Sequence, residues 1–197
     1  MTTEQIIELI GQIIGFVAIG VAFLSFQVKN KNGILAIQAL ANFIWAIHFY
    51  MIGAMAGCIL NLVGAVRNVI FAMRDKYKWL NGIWLPTVIA AIVAALSITT
   101  RESWFDVILL PSTILSTYSY CLGNERVIRN STVFVSLTWL IFNIVSFSIS
   151  GVIAEVFNLT SLTIAIIRFR KQGKEIEEIH ANEKNAATNT ESSKENA

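Results

Sequence analysis

The chain has 197 residues, 55% of them hydrophobic and only 14% charged, with a mean hydropathy of +0.62 and a net charge of +2. Soluble domains carry about 25% charged residues to cover their surface, so water is not the main solvent of this chain. The charge balance and the lack of a basic cluster interleaved with aromatics exclude a nucleic-acid binder, and two cysteines make neither a disulfide framework nor a zinc constellation. What remains is an all-α integral membrane protein.

A spanning helix needs roughly 20 mostly apolar residues, because lipid offers no partner to an unpaired backbone amide. The first apolar stretch predicts a helix over 9–28. It follows Glu4 and Glu8 instead of a basic segment and ends without a small-x-small cleavage site, so it reads as a span and not as a signal peptide. From Asn32 to Val66 no Asp, Glu, Lys or Arg occurs, 35 residues that suit two helices (34–52 and 56–73) joined at Gly53-Ala54-Met55-Ala56-Gly57. Further helices are expected over 81–98, 104–122, 132–149 and 152–170, the last two turning near Ser148-Ile149-Ser150-Gly151. Pro86 falls in the first turns of its helix, whereas Pro111 falls inside the fifth and should kink it.

Lys and Arg are retained on the cytoplasmic side. A periplasmic N-terminus places Lys29, Lys31, Arg74, Lys76, Lys78, Arg126, Arg129, Arg168, Arg170, Lys171 and Lys174 inside, and leaves Arg101 outside with Glu102 and Asp106. Residues 171–197 are polar and poor in apolar side chains, and read as a cytoplasmic tail. Tyr118, Tyr120, Trp79 and Trp84 fit aromatic anchors near the cytoplasmic interface, and Trp104 fits the opposite one.

Sliding the chain on itself by 94 residues aligns Ser25–Arg74 with Ser119–Arg168 without a gap. Nine of the 50 positions are identical, and the informative pairs are Trp45 with Trp139, Gly57 with Gly151, Asn30 with Asn124, and Arg74 with Arg168. The expected organisation is a first three-helix bundle (1–78), a linker helix (79–103), a second three-helix bundle (104–170) and the tail (171–197). An odd linker gives both bundles the same membrane orientation, a parallel repeat.

Leu24-Ser25-Phe26-Gln27-Val28-Lys29-Asn30-Lys31 resembles the end of the first helix of a PQ-loop protein, with Phe26 where the motif proline would be. Trp45 followed by Asn61 resembles the pocket pair of SWEET and SemiSWEET sugar transporters. The string Trp45-Ala-Ile-His48-Phe49-Tyr-Met-Ile-Gly53, then Gly57-Cys-Ile-Leu-Asn61, then Arg67-Asn68, resembles the YgjV-type bacterial inner-membrane family. That resemblance covers about residues 10–170. It implies a SWEET-like fold of two parallel three-helix bundles about a linker helix, in a bacterial inner membrane. Glu155 stands where the repeat would place the second pocket Asn, and Asn158 lies three residues on.

Gln38, Asn42, Trp45 and His48 share one helical face, as do Gly57, Asn61, Gly64 and Asn68. Such stripes face inward, where their amides either line a polar cavity or join helices by hydrogen bonds. Trp45 with Asn61, and Trp139 with Asn158, are the candidate solute pocket, with Asn42, Ser136 and His48 beside it. Two facing indoles can clamp a sugar ring by stacking; the alternative is ordinary core packing. His48 either carries a proton or binds solute, or serves as one donor and one acceptor inside the bundle. Glu155 is either a proton-coupling group or an interfacial carboxylate at a helix N-terminus. Arg67 is expected to snorkel to the inner headgroups, a buried pairing with Glu155 being the alternative.

No Ser/His/Asp set, HExxH motif or phosphate-cradling loop occurs, so neither an enzyme nor a bound metal or cofactor is expected. Cys58 and Cys121 fall near opposite membrane faces and do not pair. The function expected is transport of a small neutral, sugar-like solute by alternating access. A non-transporting membrane receptor is the alternative, and membrane lipids, a small-molecule solute and a second copy of the chain are the partners considered.

Overall fold

The computed structural model describes residues 2–24, 28, 30–99, 107–122, 125–164, 166 and 167. Seven α-helices form: α1 (Thr3–Leu24), α2 (Lys31–Met51), α3 (Met55–Ala72), α4 (Trp84–Thr99), α5 (Leu109–Leu122), α6 (Glu125–Val145) and α7 (Ile149–Ile164). A 3-10 turn at Lys78–Asn81 leads into α4, and no strand occurs among the described residues. Three helices, Thr3–Leu24, Asn32–Met51 and Met55–Ala72, are long and apolar enough to cross a membrane. Trp84–Thr99, Asn130–Val145 and Ile149–Ile164 are apolar but shorter, so seven helices are present where seven full spans were expected. Phe26, Trp104 and the tail from residue 171 lie outside the described residues.

The helix ends follow from local chemistry. α1 starts six residues before its predicted position because Thr2 and Gln5 cap it reciprocally. The Gln5 amide donates to Thr2 Oγ1 at 3.3 Å, and the Thr2 amide donates to Gln5 Oε1 at 2.9 Å. At α2, Asn30 Oδ1 accepts from the Gly33 amide at 2.6 Å. α6 begins at Glu125, seven residues before the predicted 132, because a helix can run past the charged residues that end an apolar span. Pro111 is the third residue of α5, where a missing N–H is one of the helix's orphan donors, so the expected kink has no cause there.

Two compact units divide the chain, Met1–Asn158 and Leu159–Ala197. In the second, the described residues are helical, and the Thr163 hydroxyl donates to the Leu159 carbonyl at 2.7 Å. In the first, α2 packs on both α1 and α3, α3 on α4, α4 on α5, and α5 on α6. Its core gathers Phe49, Leu60, Phe71, Leu85, Ile89, Val93, Leu109 and Phe142. Lipid-type side chains cover much of the outside: Ile13, Val17, Phe43, Val66, Ile92 and Ile144 are all exposed, which suits a hydrocarbon solvent.

The 94-residue register reappears in the backbone. α6 begins and ends 94 residues after α2, and α7 begins 94 residues after α3. The turns between these helices share four backbone bonds. In the first, the Ile52 amide donates to His48 O (3.1 Å), Gly53 to Tyr50 O (3.2 Å), Ala54 to Phe49 O (2.9 Å) and Cys58 to Ala54 O (3.1 Å). In the second, Ser146 donates to Phe142 O (2.9 Å), Phe147 to Ile144 O (3.2 Å), Ser148 to Asn143 O (2.9 Å) and Val152 to Ser148 O (2.9 Å). Positive φ occurs at Gly53 (77°) and at its counterpart Phe147 (52°), and at no other described residue. A bulky residue seldom adopts that region, so the second turn holds Phe147 in a conformation that glycine takes freely.

Candidate functional site

The predicted site residues gather around a buried aromatic cluster beside the two turns. Trp45 and His48 are one turn apart on α2, and their rings meet edge-on at 5.2 Å between centroids. Phe49, next on the helix and 2% exposed, stacks on Trp45 at 5.9 Å and leans on Trp139 of α6 at 5.8 Å. Phe142 completes the group, 5.7 Å from both Phe49 and Trp139. The structure therefore links Trp45 to Trp139 through Phe49, where two directly facing indoles were expected. Gly57 makes this possible: a Cβ there would lie 2.8 Å from both the Phe49 and Phe142 rings.

His48 has no solvent exposure, and its ring ties three segments. Nδ1 is 2.8 Å from the Gly11 carbonyl of α1, and Nε2 is 2.7 Å from Ser148 Oγ in the second turn. A carbonyl can only accept, so Nδ1 carries hydrogen; in the neutral ring Nε2 then accepts from the serine hydroxyl. Ser148 Oγ also accepts from the Gly151 amide at 3.1 Å, the N-cap bond of α7. Alongside, Gln12 of α1 donates to Phe147 O at 2.9 Å, and its Oε1 accepts from the Ser150 amide and hydroxyl, both at 3.3 Å. Ser148 and Ser150 are fully buried. The α1 backbone comes this close because Gly11 and Gly15 lack a Cβ: one at Gly15 would strike Ser150 and the His48 ring.

The other predicted residues do not converge on the indoles by hydrogen bonds. Asn61 Nδ2 donates to the Gly57 carbonyl of its own helix at 2.9 Å. Asn42 packs beside Gly64, where a Cβ would lie 2.8 Å from its Nδ2. Ser136, buried on α6, hydrogen-bonds with the Glu155 carboxyl of α7, and Asn158 Nδ2 donates to Glu155 Oε2 at 3.5 Å. Ser136 and Glu155 are the repeat counterparts of Asn42 and Asn61, so the second half joins by side chains the two positions that the first half fills with amides. Glu155 lies in the second turn of α7, not the first.

Arg67 departs from expectation. It neither snorkels nor meets Glu155: it is only 8% exposed, and Nη1 donates to Ser116 Oγ and Thr117 Oγ1 of α5, both at 3.1 Å. The Tyr120 ring lies under its guanidinium at 5.2 Å, so this tyrosine serves a cation and not only an interface. Trp79 and Trp84 stack on each other at 5.6 Å where α4 begins, and Trp84 Nε1 donates to the Trp79 carbonyl at 3.2 Å. Cys58 and Cys121 are both free thiols.

Several members of this cluster escape sequence reasoning. Phe49 and Phe142 look like ordinary apolar residues; the usable signal is that Phe49 follows Trp45 by four residues and Phe142 is the counterpart of His48. Ser148-x-x-Gly151 has the spacing of an N-cap bond to the third helical amide, and Gln12 carries only a lone polar side chain in an apolar run.

No curated protein and no solved structure matches the chain. The family model Imp-YgjV, a bacterial inner membrane protein, matches residues 9–173, so the chain described here belongs to that family of integral inner-membrane proteins.

Proposed function

We propose that this protein is a carrier for a small neutral, sugar-like solute, with all seven helices embedded in the membrane. The halves 1–78 and 104–170 act as parallel three-helix bundles about the linker 79–103, with the N-terminus periplasmic and 171–197 as a cytoplasmic tail. The observation that carries this reading is the duplicated helix–turn–helix, in which four backbone hydrogen bonds and one positive-φ residue recur at a spacing of 94 residues. Parallel repeats of this kind underlie SWEET-type carriers, whose solute sites lie near mid-membrane at the repeat interface. On this reading the solute site is Trp45 and Trp139, with Asn42, Asn61, Ser136 and Asn158 as its candidate polar groups.

The packed arrangement is then a closed state of the carrier. Admitting a solute requires Phe49 to swing away from the indoles, and rocking the bundles apart at the turns requires His48 to release Ser148 and Gln12 to release Phe147 and Ser150. Facilitated diffusion is favoured, since His48 and Glu155 alone offer protonation. Uptake of a panel of radiolabelled sugars and polyols into proteoliposomes tests the proposal. At least one solute should enter, and Trp45→Ala or Trp139→Ala should reduce its entry about tenfold or more, the loss of one stacking contact in a desolvated pocket. No entry on a broad panel, with no ligand-induced stabilisation that Trp45→Ala removes, overturns it.

The contact of Phe49 with both indoles favours one other reading, a membrane receptor that uses the same fold without transport. Deleting residues 175–197 would then abolish function while Trp45 and Trp139 substitutions leave it intact.

A further inference from the structure

The connector from α3 to α4 is short, basic and aromatic. Residues 73–84 hold Arg74, Lys76 and Lys78 against one acid, Asp75, together with Tyr77, Trp79, Ile83 and Trp84. The connector leaves a helix long enough to cross a membrane and enters another apolar one, so it lies at a membrane surface whichever way the chain is oriented.

Its backbone is held by bonds of its own. The Lys76 and Tyr77 amides both donate to the Met73 carbonyl at 3.0 Å, and the Leu80 amide donates to the Tyr77 carbonyl at 3.0 Å. Leu80 is buried in the core. Arg74 ties the two ends together: its Nε donates to Asn81 Oδ1 at 3.1 Å, Asn81 Nδ2 donates back to the Arg74 carbonyl at 3.4 Å, and Nη2 reaches Cys121 Sγ of α5 at 3.7 Å. Arg74 thus serves the fold, which leaves Lys76 and Lys78 as the outward cations of the connector. A segment held in this way loses little freedom when it binds.

Apolar surface points outward beside those cations. Trp79 is 65% exposed and Ile83 63%, and the Trp79 and Trp84 rings stack within 8° of parallel. Lys76 Nζ sits over the Tyr77 ring at 5.4 Å, and among the described residues no carboxylate pairs with Lys76 or Lys78. Water disfavours the exposed indoles and hydrocarbon disfavours the ammonium groups, whereas the headgroup layer of a bilayer accommodates both. Phosphodiester oxygens supply the missing anion, and the sign of the charge selects lipids with a net negative headgroup.

We propose that the 76–84 connector is a binding surface for anionic phospholipid headgroups, with Lys76 and Lys78 meeting the phosphates and Trp79, Ile83 and Trp84 entering the interfacial layer. The surface shares no residue with the Trp45–Trp139 cluster and does not depend on transport. Zwitterionic lipids offer the same apolar layer without net charge, so the selectivity comes from the lysines. Each lysine near an anionic surface contributes about a fivefold preference.

The full-length protein is purified in a neutral detergent, and native mass spectrometry counts phosphatidylglycerol and phosphatidylcholine of identical acyl chains retained from an equimolar mixture. Phosphatidylglycerol should be retained preferentially. Lys76→Gln and Lys78→Gln should each lower the preference about fivefold and the double variant about twenty-five-fold, while Lys76→Arg with Lys78→Arg should keep it. Both lysines are exposed, so the variants fold, and thermal unfolding verifies it. Equal retention of the two lipids by the unaltered protein overturns the proposal. So does a preference that the double Gln variant leaves unchanged, which places the lipid at other basic loops. Saturable stabilisation by sodium phosphate, measured against sodium chloride at equal ionic strength and lost in the double Gln variant, identifies a free anion as the occupant and overturns it as well.

Discussion

The His48–Ser148 bond makes a quantitative prediction, because it joins helices a hundred residues apart and both partners are fully buried. His48→Phe keeps an aromatic ring in place but strips the Gly11 carbonyl and the Ser148 hydroxyl of their partner. An unpaired buried polar group costs about 1–3 kcal/mol, whereas hydrogen bonds between helices in membranes measure about 0.6 and at most about 1.7 kcal/mol. At about 1 kcal/mol per bond, between these two scales, two lost bonds give about 2 kcal/mol. Ser148→Ala loses the histidine bond and the N-cap bond to Gly151, again about 2 kcal/mol. The shared bond is counted in both single variants but can be lost only once. The double variant should therefore cost about 3 kcal/mol, leaving a coupling of about 1 kcal/mol. Reversible unfolding by SDS titration in mixed micelles measures all four corners of the cycle. A double variant equal to the sum of the singles within about 0.3 kcal/mol would refute the bond.

Three other changes test the packing and the turns. Gly57→Ala drives a methyl group into the Phe49 and Phe142 rings and should destabilise by about 1–3 kcal/mol in the same titration, while Gly20→Ala, with nothing within 4 Å, should be neutral or stabilising. Gly53→Ala meets no neighbour either, so its cost is backbone alone: about 1–2 kcal/mol for a left-handed residue with a Cβ, less about 0.5–1 kcal/mol regained from the unfolded chain. Phe147→Gly should show the opposite sign and the same size, and equal signs for the two turn variants would refute their equivalence. Gln12→Leu should lower stability by about 1–2 kcal/mol through loss of its bonds to Phe147 and Ser150, and amide hydrogen exchange at Ser150 should rise with it.

The parts of the fold legible in the sequence are those written in charge and spacing. Charged residues flank the apolar runs, so the seven helices and the Gly53 turn follow from hydropathy, and Trp45/Trp139 with Gly57/Gly151 set the repeat register that the backbone keeps. Helix ends were not legible from hydropathy alone, because caps lie outside the apolar run: the Thr2–Gln5 box moves α1 upstream, and the orphan-donor position of Pro111 removes the expected kink. That Trp45 and Trp139 occupy equivalent repeat positions was legible, but not that Phe49 links them, because a phenylalanine in an apolar helix carries no sign of which neighbour it faces. Arg67 misled for a similar reason. Distance from a helix end suggests snorkelling, whereas the hydroxyls that capture the guanidinium sit on α5, roughly fifty residues away in sequence.

The matched turns also limit what either half can be by itself. Their backbones are equivalent, yet the side chains that fasten the second turn have no counterparts in the first: Ala54 stands at the position of Ser148, Ala56 at that of Ser150, and Gly53 at that of Phe147. Two fused copies of residues 1–78 would repeat the helix–turn–helix and still lack the hydroxyl that faces His48. The two turns are therefore alike in backbone and unlike in side chains: only the second supplies the hydroxyls that His48 and Gln12 engage.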